Sequence, residues 1–317
     1  MIFPDALPGE PQTSSAVLMI RPAHFGSNVQ TRGSNYFQHD AEGAEDDVAT
    51  QARHEFDAFV TRLAMAGVHV AAFEGRRDAE LADEVFPNNW LSLHADGTAV
   101  LYPLMAENRR AERRVKLLDA LRERGFHIER VVDLSSLEDR GQYLEGTGSL
   151  VLDRRNRIAY ACRSPRTHPA ALAVFGRELG YEIVEFAALD RRGRPIYHTN
   201  VLMSVGANFV VVCSAAVDGA AERRRLLDRL GASGREFLDL SLDQLHAFAG
   251  NLLELRGTGP VIAMSMSALR SLTAAQQAML ERHGEIVAAE LECIERLGGG
   301  SARCMLAEIA CPRSGKG

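Results

Sequence analysis

The sequence has few cysteines, and none of them stands in a spacing typical of a metal site. Neither CxxC nor CxxH occurs, and the number of cysteines is odd. The first residues lack the basic start and apolar segment of a signal peptide, and no apolar run is long enough to span a membrane. These absences predict a reducing, cytoplasmic setting and no membrane partner, and we expect no metal and no cofactor. The five cysteines are Cys162, Cys213, Cys293, Cys304 and Cys311.

An excess of basic residues is also lacking. The 36 Lys and Arg residues are outnumbered by 42 Asp and Glu residues, which gives a formal charge of −6 and argues against nucleic acid as a partner. The densest basic cluster is interrupted by Glu107 and Glu112, so it predicts a solvated helix face. That cluster consists of Arg109, Arg110, Arg113 and Arg114.

The length of 317 residues allows one large domain or two ordinary ones. We predict a flexible N-terminal tail over residues 1–15 and a single α/β catalytic domain over residues 16–317. A strand is expected at Ala16–Arg21, and helical spacing of apolar residues is seen at Val48–Ala66. Between them, Pro22–Asp47 is polar, and a loop of this length is more often functional than not.

A repeated unit follows. Four segments share one plan: a short apolar strand, a polar motif, a strand hairpin and a helix. The last apolar run, around Ala307, is expected to pair with the first strand and so build a fifth unit from both ends of the chain. We therefore predict a closed, radially repeated α/β structure without exposed sheet edges. The hairpins begin at Asn88, Gly146, His198 and Gly250, and the helices are expected at Met105–Arg124, Pro169–Leu179, Gly219–Leu230 and Thr273–Arg282.

Chemically active residues stand at equivalent points of these units, just before the hairpins. If the units are related by rotation, Glu145, His198 and Cys304 face one another across the axis. A thiol, an imidazole and a carboxylate can act as nucleophile, acid/base and orienting group. Alone, Cys304 after the three glycines of LGGGSARC would more often be an inert core residue, and His198 a satisfied histidine. The equivalent positions favour the catalytic interpretation.

These motifs resemble those of the guanidino-group-modifying enzymes of the pentein fold, a five-bladed α/β propeller with pseudo-fivefold repeats. The similar segments are MIRP, NYFQ, FPNNW, EGTGSLV, HTN and GGGSARCM, and they cover nearly the whole chain. They are most similar to the arginine-deiminase-related branch that includes the citrulline-utilisation hydrolases. The resemblance implies Cys304 as nucleophile, His198 as general acid/base and Glu145 as its partner. It also implies that Arg166 holds a substrate carboxylate, with a plain surface charge as the equal alternative.

The sequence departs from the deiminase pattern at two positions. Deiminases usually carry aspartates where this chain has Asn89 and Asn200. An asparagine can donate as well as accept, whereas a carboxylate only accepts. A neutral ureido group, whose oxygen needs a donor, therefore fits this pair better than a guanidinium does. EGTG also has Gly148 in place of an aspartate, and the sequence alone does not explain that difference.

The sequence thus predicts hydrolysis of a ureido C–N bond in a small amino acid, with citrulline to ornithine, CO2 and NH3 as the first choice. The alternatives are an arginine deiminase or modified-arginine hydrolase, and a non-catalytic amino-acid-binding propeller. The polar loop is expected to cover the site, with Asn35, Phe37 or Gln38 touching the substrate. The oligomeric state is left open, a homo-oligomer included.

Overall fold

The computed structural model describes residues 10–39 and 45–314, and within them the strands form five separate three-stranded sheets. Each sheet combines an antiparallel pair with one parallel strand. In chain order the strands are β1 (Ala16–Arg21), β2 (His69–Glu74), β3 (Leu91–Leu93), β4 (Thr98–Leu101), β5 (Arg130–Asp133), β6 (Val151–Asp153), β7 (Ile158–Arg163), β8 (Glu182–Ala187), β9 (Met203–Val205), β10 (Phe209–Val212), β11 (Glu236–Asp239), β12 (Leu253–Arg256), β13 (Pro260–Ser265), β14 (Glu285–Ala289) and β15 (Ala307–Glu308).

Helices supply the crossovers that parallel pairing needs, because two parallel strands cannot be joined by a tight turn. Each of the five parallel pairs is connected through at least one helix. The α-helices are α1 (Val29–Arg32), α2 (Glu45–Met65), α3 (Lys116–Glu123), α4 (Gly146–Ser149), α5 (Pro169–Leu179), α6 (Thr199–Leu202), α7 (Ala220–Gly231), α8 (Leu242–His246), α9 (Met266–Ser271) and α10 (Ala274–Glu281). A π-helix spans Ile294–Gly298, and 3-10 helices include Pro87–Asn89, Glu107–Glu112 and Ala302–Met305.

Both ends of the described chain build one sheet. Strand β15 pairs antiparallel with β1, with Val17 opposite Glu308, and β2 pairs parallel on the other edge of β1. The predicted fifth unit is therefore confirmed. The four predicted hairpins are also present, but in the first three of them the first residues form short helical turns before the strands begin.

Two helix predictions and one loop prediction need correction. The helix expected from Val48 begins at Glu45, and the polar loop before it contains the short helix α1. The helix expected over Met105–Arg124 is divided into the 3-10 helix Glu107–Glu112 and α3. In a 3-10 helix, residues three apart lie on the same side, so Arg109 and Glu112 turn inward together and interrupt the α-helical register.

The apolar side chains of helix α2 pack into the core on one face of the helix. Phe56, Phe59 and Leu63 recur at helical spacing and are fully or almost fully buried in one apolar cluster that also contains Cys304. Burial of large apolar side chains of this kind contributes about 1.5–3 kcal/mol each relative to exposure. The helix thereby supports the segment that carries the thiol.

The N-terminal segment is anchored from residue 10 onward, so the predicted loose tail is wrong for residues 10–15. The side chain of Gln12 is buried and donates to the carbonyl oxygens of Leu152 and Val205, each at 2.9 Å. Glu10 forms ion pairs with Arg154 at 3.3 Å and Arg157 at 2.9 Å. The segment therefore ties together the edges of two sheets. Residues 1–9 of the predicted tail lie outside the described residues.

Replacing Gln12 with Ala should destabilise the protein, because two buried carbonyl oxygens lose their donor. A loss of about 1–3 kcal/mol in the free energy of unfolding is expected, measured by urea denaturation followed by circular dichroism. Gln142→Ala is the control, since the Gln142 side chain makes no hydrogen bond with any residue that the structure describes. Equal unfolding midpoints for the two variants would contradict the anchoring role.

Candidate active site

The short helical turns before the hairpins pack against one another and position the polar side chains. Pro87–Asn89 contacts α4, α4 contacts α6, and Pro87–Asn89 also contacts Ala302–Met305. A buried cavity lies where these turns meet, and His198 and Cys304 both line it. Glu145, at the start of α4, is completely buried behind His198.

His198 and Glu145 form a direct hydrogen bond of 2.9 Å between Nε2 and Oε2. Burial raises the pKa of the Glu145 carboxyl, but Arg166, His198 and Arg109 outweigh it and hold that pKa well below its usual range. Burial lowers the pKa of His198 to about 4, although the Glu145 carboxylate opposes this shift. At neutral pH the imidazole is therefore neutral. Because the charged carboxylate accepts from Nε2–H, Nδ1 carries the free lone pair and can take a proton.

Cys304 lies in the 3-10 helix Ala302–Met305 and is 3% exposed. Its Sγ accepts a hydrogen bond from the side-chain amide of Asn251 at 3.3 Å and another from that of Asn200 at 3.5 Å. Burial raises the pKa of the thiol, while hydrogen bonds from these amides and the charge of Arg303 lower it. Thiol and imidazole are therefore both uncharged at rest, and the two amides are placed to stabilise the thiolate when it forms.

Asn251 is a site residue that the sequence reasoning missed. Its Nδ2 donates to Cys304 Sγ and to the Asn200 carbonyl oxygen, and its Oδ1 accepts from the Arg303 amide at 3.0 Å. One side chain thus holds the backbone next to Cys304 and contacts the Cys304 sulfur. The signal was present: Gly250-Asn251 stands just before the fourth hairpin, the position that supplied site residues in the other units.

Asn89 and Asn200 occupy different places in the site. Asn89 lines the cavity. Its Oδ1 accepts from Arg109 Nη1 at 2.9 Å, and its Nδ2 donates one hydrogen to Asn88 Oδ1 at 2.9 Å. Asn200 lies behind the Cys304 sulfur, and its Oδ1 has no hydrogen-bond partner among the described residues. Both side chains therefore turn an amide nitrogen toward the reaction centre, Asn89 near His198 and Asn200 at the thiol.

Arg109 corrects the prediction of a solvated basic face. It is 2% exposed and forms a two-point ion pair with Glu112, with nitrogen–oxygen distances of 3.0 and 2.9 Å. Burial raises the pKa of Glu112 to about 7. Arg109 also lies 3.7 Å from Glu145 and 3.5 Å from Asp83. It is therefore part of the cavity wall and of the buried ionic network.

Asp83 is a second residue that the sequence reasoning missed. Its carboxylate lines the cavity and accepts from Asn28 at 2.8 Å, while its Oδ1 has no hydrogen-bond partner among the described residues. The head-group cage is thus not free of negative charge, as two asparagines alone had suggested. No repeat position or motif in the sequence marks Asp83, because it precedes the equivalent turn by several residues.

The polar loop covers the cavity, and Asn35 lines it from that side. Asn35 donates to the carbonyl oxygen of Gly299 at 3.2 Å, and Gln38 donates to that of Gly298 at 3.2 Å. Both bonds tie the loop to the glycine run before Cys304. Phe37 is not in the cavity: it packs edge-on against Tyr197, with ring centroids 5.9 Å apart, on the outer side of the wall.

Arg166 also lines the cavity and is held by the covering loop. Its Nη2 donates to Ser34 Oγ at 2.8 Å and to the Thr31 carbonyl oxygen at 3.0 Å, and its Nη1 lies 3.3 Å from Glu145. The interpretation of Arg166 as a plain surface charge is wrong, since the side chain is buried. Its predicted role in holding a substrate carboxylate is not tested by these contacts.

The presence of glycine at position 148 has a steric explanation that the sequence alone did not reveal. A Cβ built there would lie 2.6 Å from His198 Nδ1 and 2.7 Å from Asn89 Nδ2, both shorter than real contacts allow. Any side chain at this position would displace the proposed base and the cage amide together. Glycine at position 148 therefore lets the imidazole and Asn89 approach the α4 backbone.

Two absences hold for the described ranges, 10–39 and 45–314. No helix there is long and apolar enough to cross a membrane. No group of three or more His, Cys, Asp or Glu residues there could hold a metal ion. The five cysteines are all free and buried.

Solved structures of several enzymes share this fold. The N-terminal domain of ArgZ, an arginine dihydrolase from cyanobacteria, superimposes with a TM-score of 0.72 at 17% identity, covering 93% of this chain and 97% of that one. AgrE, in complex with ornithine and NAD+, gives 0.73 at 16% identity, and its match covers 95% of this chain but 40% of AgrE. A mutant of DDAH from Pseudomonas aeruginosa, in complex with citrulline, gives 0.66 at 12% identity, covering 93% and 99%. No curated protein sequence matches this chain significantly.

Fold and motifs define a guanidino-group-modifying enzyme of the pentein superfamily, in its arginine-deiminase-related branch. Residues 21–311 match the family model described as N,N dimethylarginine dimethylhydrolase, eukaryotic, and the chain belongs to that family. The resemblance inferred from the sequence motifs is confirmed.

Replacing Gly148 with Ala should lower kcat strongly while leaving the fold intact, because the new methyl group displaces His198 and Asn89. A loss of about 100-fold or more is expected from a misplacement near 1 Å. Steady-state kinetics measure it, with circular dichroism as the fold check. Gly231→Ala is the matched control, since a Cβ there meets nothing within 4 Å. Activity near wild type in Gly148→Ala would show that the approach is not needed.

Replacing Asn251 with Ala should raise the pKa of Cys304, because a donor that stabilises the thiolate is lost. The rate of alkylation by iodoacetamide at the Cys304 peptide, followed by mass spectrometry, should fall at pH 8, and its rise with pH should shift to higher pH. Asn208→Ala, in an exposed turn, is the control. An unchanged pH profile in Asn251→Ala would exclude this role.

Proposed function

We propose that the protein is a hydrolase that cleaves a ureido C–N bond of a small amino acid, with citrulline to ornithine, CO2 and NH3 as the first choice. The observation that carries this choice is the orientation of Asn89. Arg109 donates to its Oδ1 and one N–H of its amide donates to Asn88 Oδ1, so the second N–H of the Asn89 amide is the donor left for the cavity. A ureido oxygen needs such a donor, whereas a guanidinium carries only donors of its own.

The proposed reaction begins with proton transfer from Cys304 to His198 Nδ1 and attack of the thiolate on the ureido carbon. Asn251 and Asn200 stabilise the thiolate, and the Glu145 carboxylate stabilises the imidazolium that forms. The imidazolium then returns its proton to the departing amine, which leaves a thiocarbamate on Cys304. In the second half, neutral His198 takes a proton from water as the water attacks the same carbon, and the C–S bond then breaks. Cys304 leaves as a thiolate that regains its proton from the imidazolium, and the released carbamic acid decomposes to an amine and CO2.

Binding of the amino-acid end is assigned to Arg166 and the covering loop. Arg166 supplies a buried positive charge next to Asn35, and its contact with Ser34 can exchange for a substrate carboxylate when the loop closes on substrate. Phe37 supports Tyr197, whose ring lines the cavity, so its effect on substrate is through that wall.

A second candidate is an arginine dihydrolase, which would convert arginine to ornithine in one site. Asp83 favours it, because its carboxylate in the cavity wall could accept from a guanidinium and offset its charge. ArgZ, whose fold this chain shares, is named an arginine dihydrolase. The third reading, a non-catalytic amino-acid binder, is disfavoured by the His198–Glu145 hydrogen bond and by Cys304 in the same cavity.

The sheets are proposed to close into a five-bladed α/β propeller with pseudo-fivefold repeats. Five sheets of one topology and the pairing of β15 with β1 support it.

A cytoplasmic setting is proposed from the free thiols, with a small amino acid as the partner.

The test is to incubate wild-type protein and Cys304→Ala separately with citrulline and with arginine, and to measure ornithine, citrulline and ammonia. Ornithine from citrulline, absent in Cys304→Ala, is expected. Ornithine from arginine would identify the dihydrolase instead. Arginine converted to citrulline, with citrulline left untouched, would identify a deiminase and overturn the ureido proposal.

Changing Asn89 and Asn200 together to Asp should shift the ratio of kcat/KM toward arginine by at least about tenfold, since two acceptors replace two donors near the head group. Asp83→Asn is the matched control and should move the ratio the other way, because it removes the existing carboxylate. If both variants move the ratio in one direction, the charge of the cage does not select the head group.

A further inference from the structure

A second and larger cavity lies outside the covering loop. Its volume is about 580 Å³, within the range of small-molecule sites, and it shares no lining residue with the Cys304 cavity. Phe37 and His39 of the covering loop line one side, and the π-helix Ile294–Gly298 lines another through Glu295 and Arg296. The two cavities are therefore neighbours separated by the loop and by Tyr197.

The floor of this outer cavity is aromatic. The ring of Phe37 lies 5.2 Å from that of Phe248 and 5.3 Å from that of His246, in tilted contacts. Burial lowers the pKa of His246, so this ring is neutral at pH 7. The floor thus offers an apolar surface to the carbon chain of a ligand.

Most charges around the outer cavity are already paired. Arg191 binds Asp243 at 2.6 Å, and Arg194 binds Asp190 at 2.6 Å and stacks on Tyr36. Glu295 accepts from the hydroxyls of Ser267 and Ser301. The two ion pairs leave no net charge for a ligand, and each Glu295 oxygen is already occupied by a serine hydroxyl.

Three charged side chains remain. Arg192, Arg296 and Glu292 line the cavity and form no side-chain hydrogen bond or ion pair with any residue in the described ranges. Arg296 is half-buried, while Arg192 and Glu292 are exposed at the rim. Two guanidinium groups and one carboxylate therefore surround an aromatic floor.

We propose that the outer cavity binds an acidic α-amino acid, a site distinct from the catalytic cavity and independent of the proposed reaction. Such a ligand carries two carboxylates and one ammonium group, which match two guanidinium groups and one carboxylate in number and sign. Arg192 and Arg296 hold the carboxylates through charge-assisted hydrogen bonds, and Glu292 holds the ammonium. The methylene groups lie on Phe37 and Phe248.

A ligand in this position is linked to the Cys304 cavity through two segments of the chain, each of which lines both cavities. Phe37 and Asn35 belong to the same loop, and Asn35 lines the Cys304 cavity. Arg296 belongs to the π-helix, whose last residue, Gly298, lines that cavity as well. The amide of His39 already donates to the Arg296 carbonyl oxygen at 2.8 Å. By linking the loop to the π-helix, the ligand stabilises the closed loop and slows its opening.

The test is equilibrium dialysis of radiolabelled L-glutamate against the full-length protein. Saturable binding at one site per chain is expected, and L-glutamine should compete less well because it lacks the second carboxylate. The double variant Arg192→Ala/Arg296→Ala should weaken binding by at least about tenfold, which is 1.4 kcal/mol. Arg224→Ala, an exposed arginine on α7, is the matched control and should bind as wild type does.

A second readout follows the loop itself. Trypsin cleavage after Arg32, at the exposed end of α1, should slow when L-glutamate is present, and the double variant should lose this protection. Absence of saturable binding at millimolar glutamate overturns the proposal. Binding that citrulline competes away, and that the double variant leaves unchanged, places glutamate in the Cys304 cavity and overturns it as well.

Discussion

The buried carboxylate of Glu145 is the interaction on which the site depends. It is completely buried and carries its charge because His198, Arg166 and Arg109 surround it. Taking an ion out of water costs several kcal/mol, so a carboxylate at this depth is stable only with such partners. Each partner extends the network: Arg166 reaches the covering loop, and Arg109 reaches Asn89. One buried charge therefore links His198, Asn89 and the covering loop.

The proposed catalytic pair, His198 and Cys304, is uncharged at rest, and this has a physical cause. Burial moves the pKa of His198 downward and that of Cys304 upward, so a thiolate–imidazolium pair is disfavoured before substrate binds. The amides of Asn251 and Asn200 offer hydrogen bonds to the sulfur without adding charge. An enclosed cavity strengthens these hydrogen bonds, because few water molecules compete for them. The Cys304 thiol is thus held in its protonated, less nucleophilic form.

Site residues that stand at equivalent points of the repeated units could be predicted from the sequence. Site residues whose placement depends on a local deviation from the repeated unit could not. Glu145, His198 and the β15–β1 pairing follow from equivalent places in equivalent units. The burial of Arg109 could not be predicted, because it requires a 3-10 turn that places Arg109 beside Glu112. Asp83 lies outside every repeated motif. Asn251 could have been found, since the fourth unit carries it at the equivalent point. The role of Gly148 could be recognised only from the structure, because it consists of the space that the missing Cβ leaves for His198 and Asn89.

The sheet that joins β15 to β1 has a consequence for how the molecule is made. During translation, β1 leaves the ribosome long before the segment that carries Cys304, so one edge of β1 stays unpaired while the intervening units fold. The contact between Val17 and Glu308 is among the most distant in sequence that the fold contains, and contacts of that kind form late. Cys304 therefore reaches Asn200 and Asn251 only when the fold is otherwise complete, so the site is assembled at the last stage of folding.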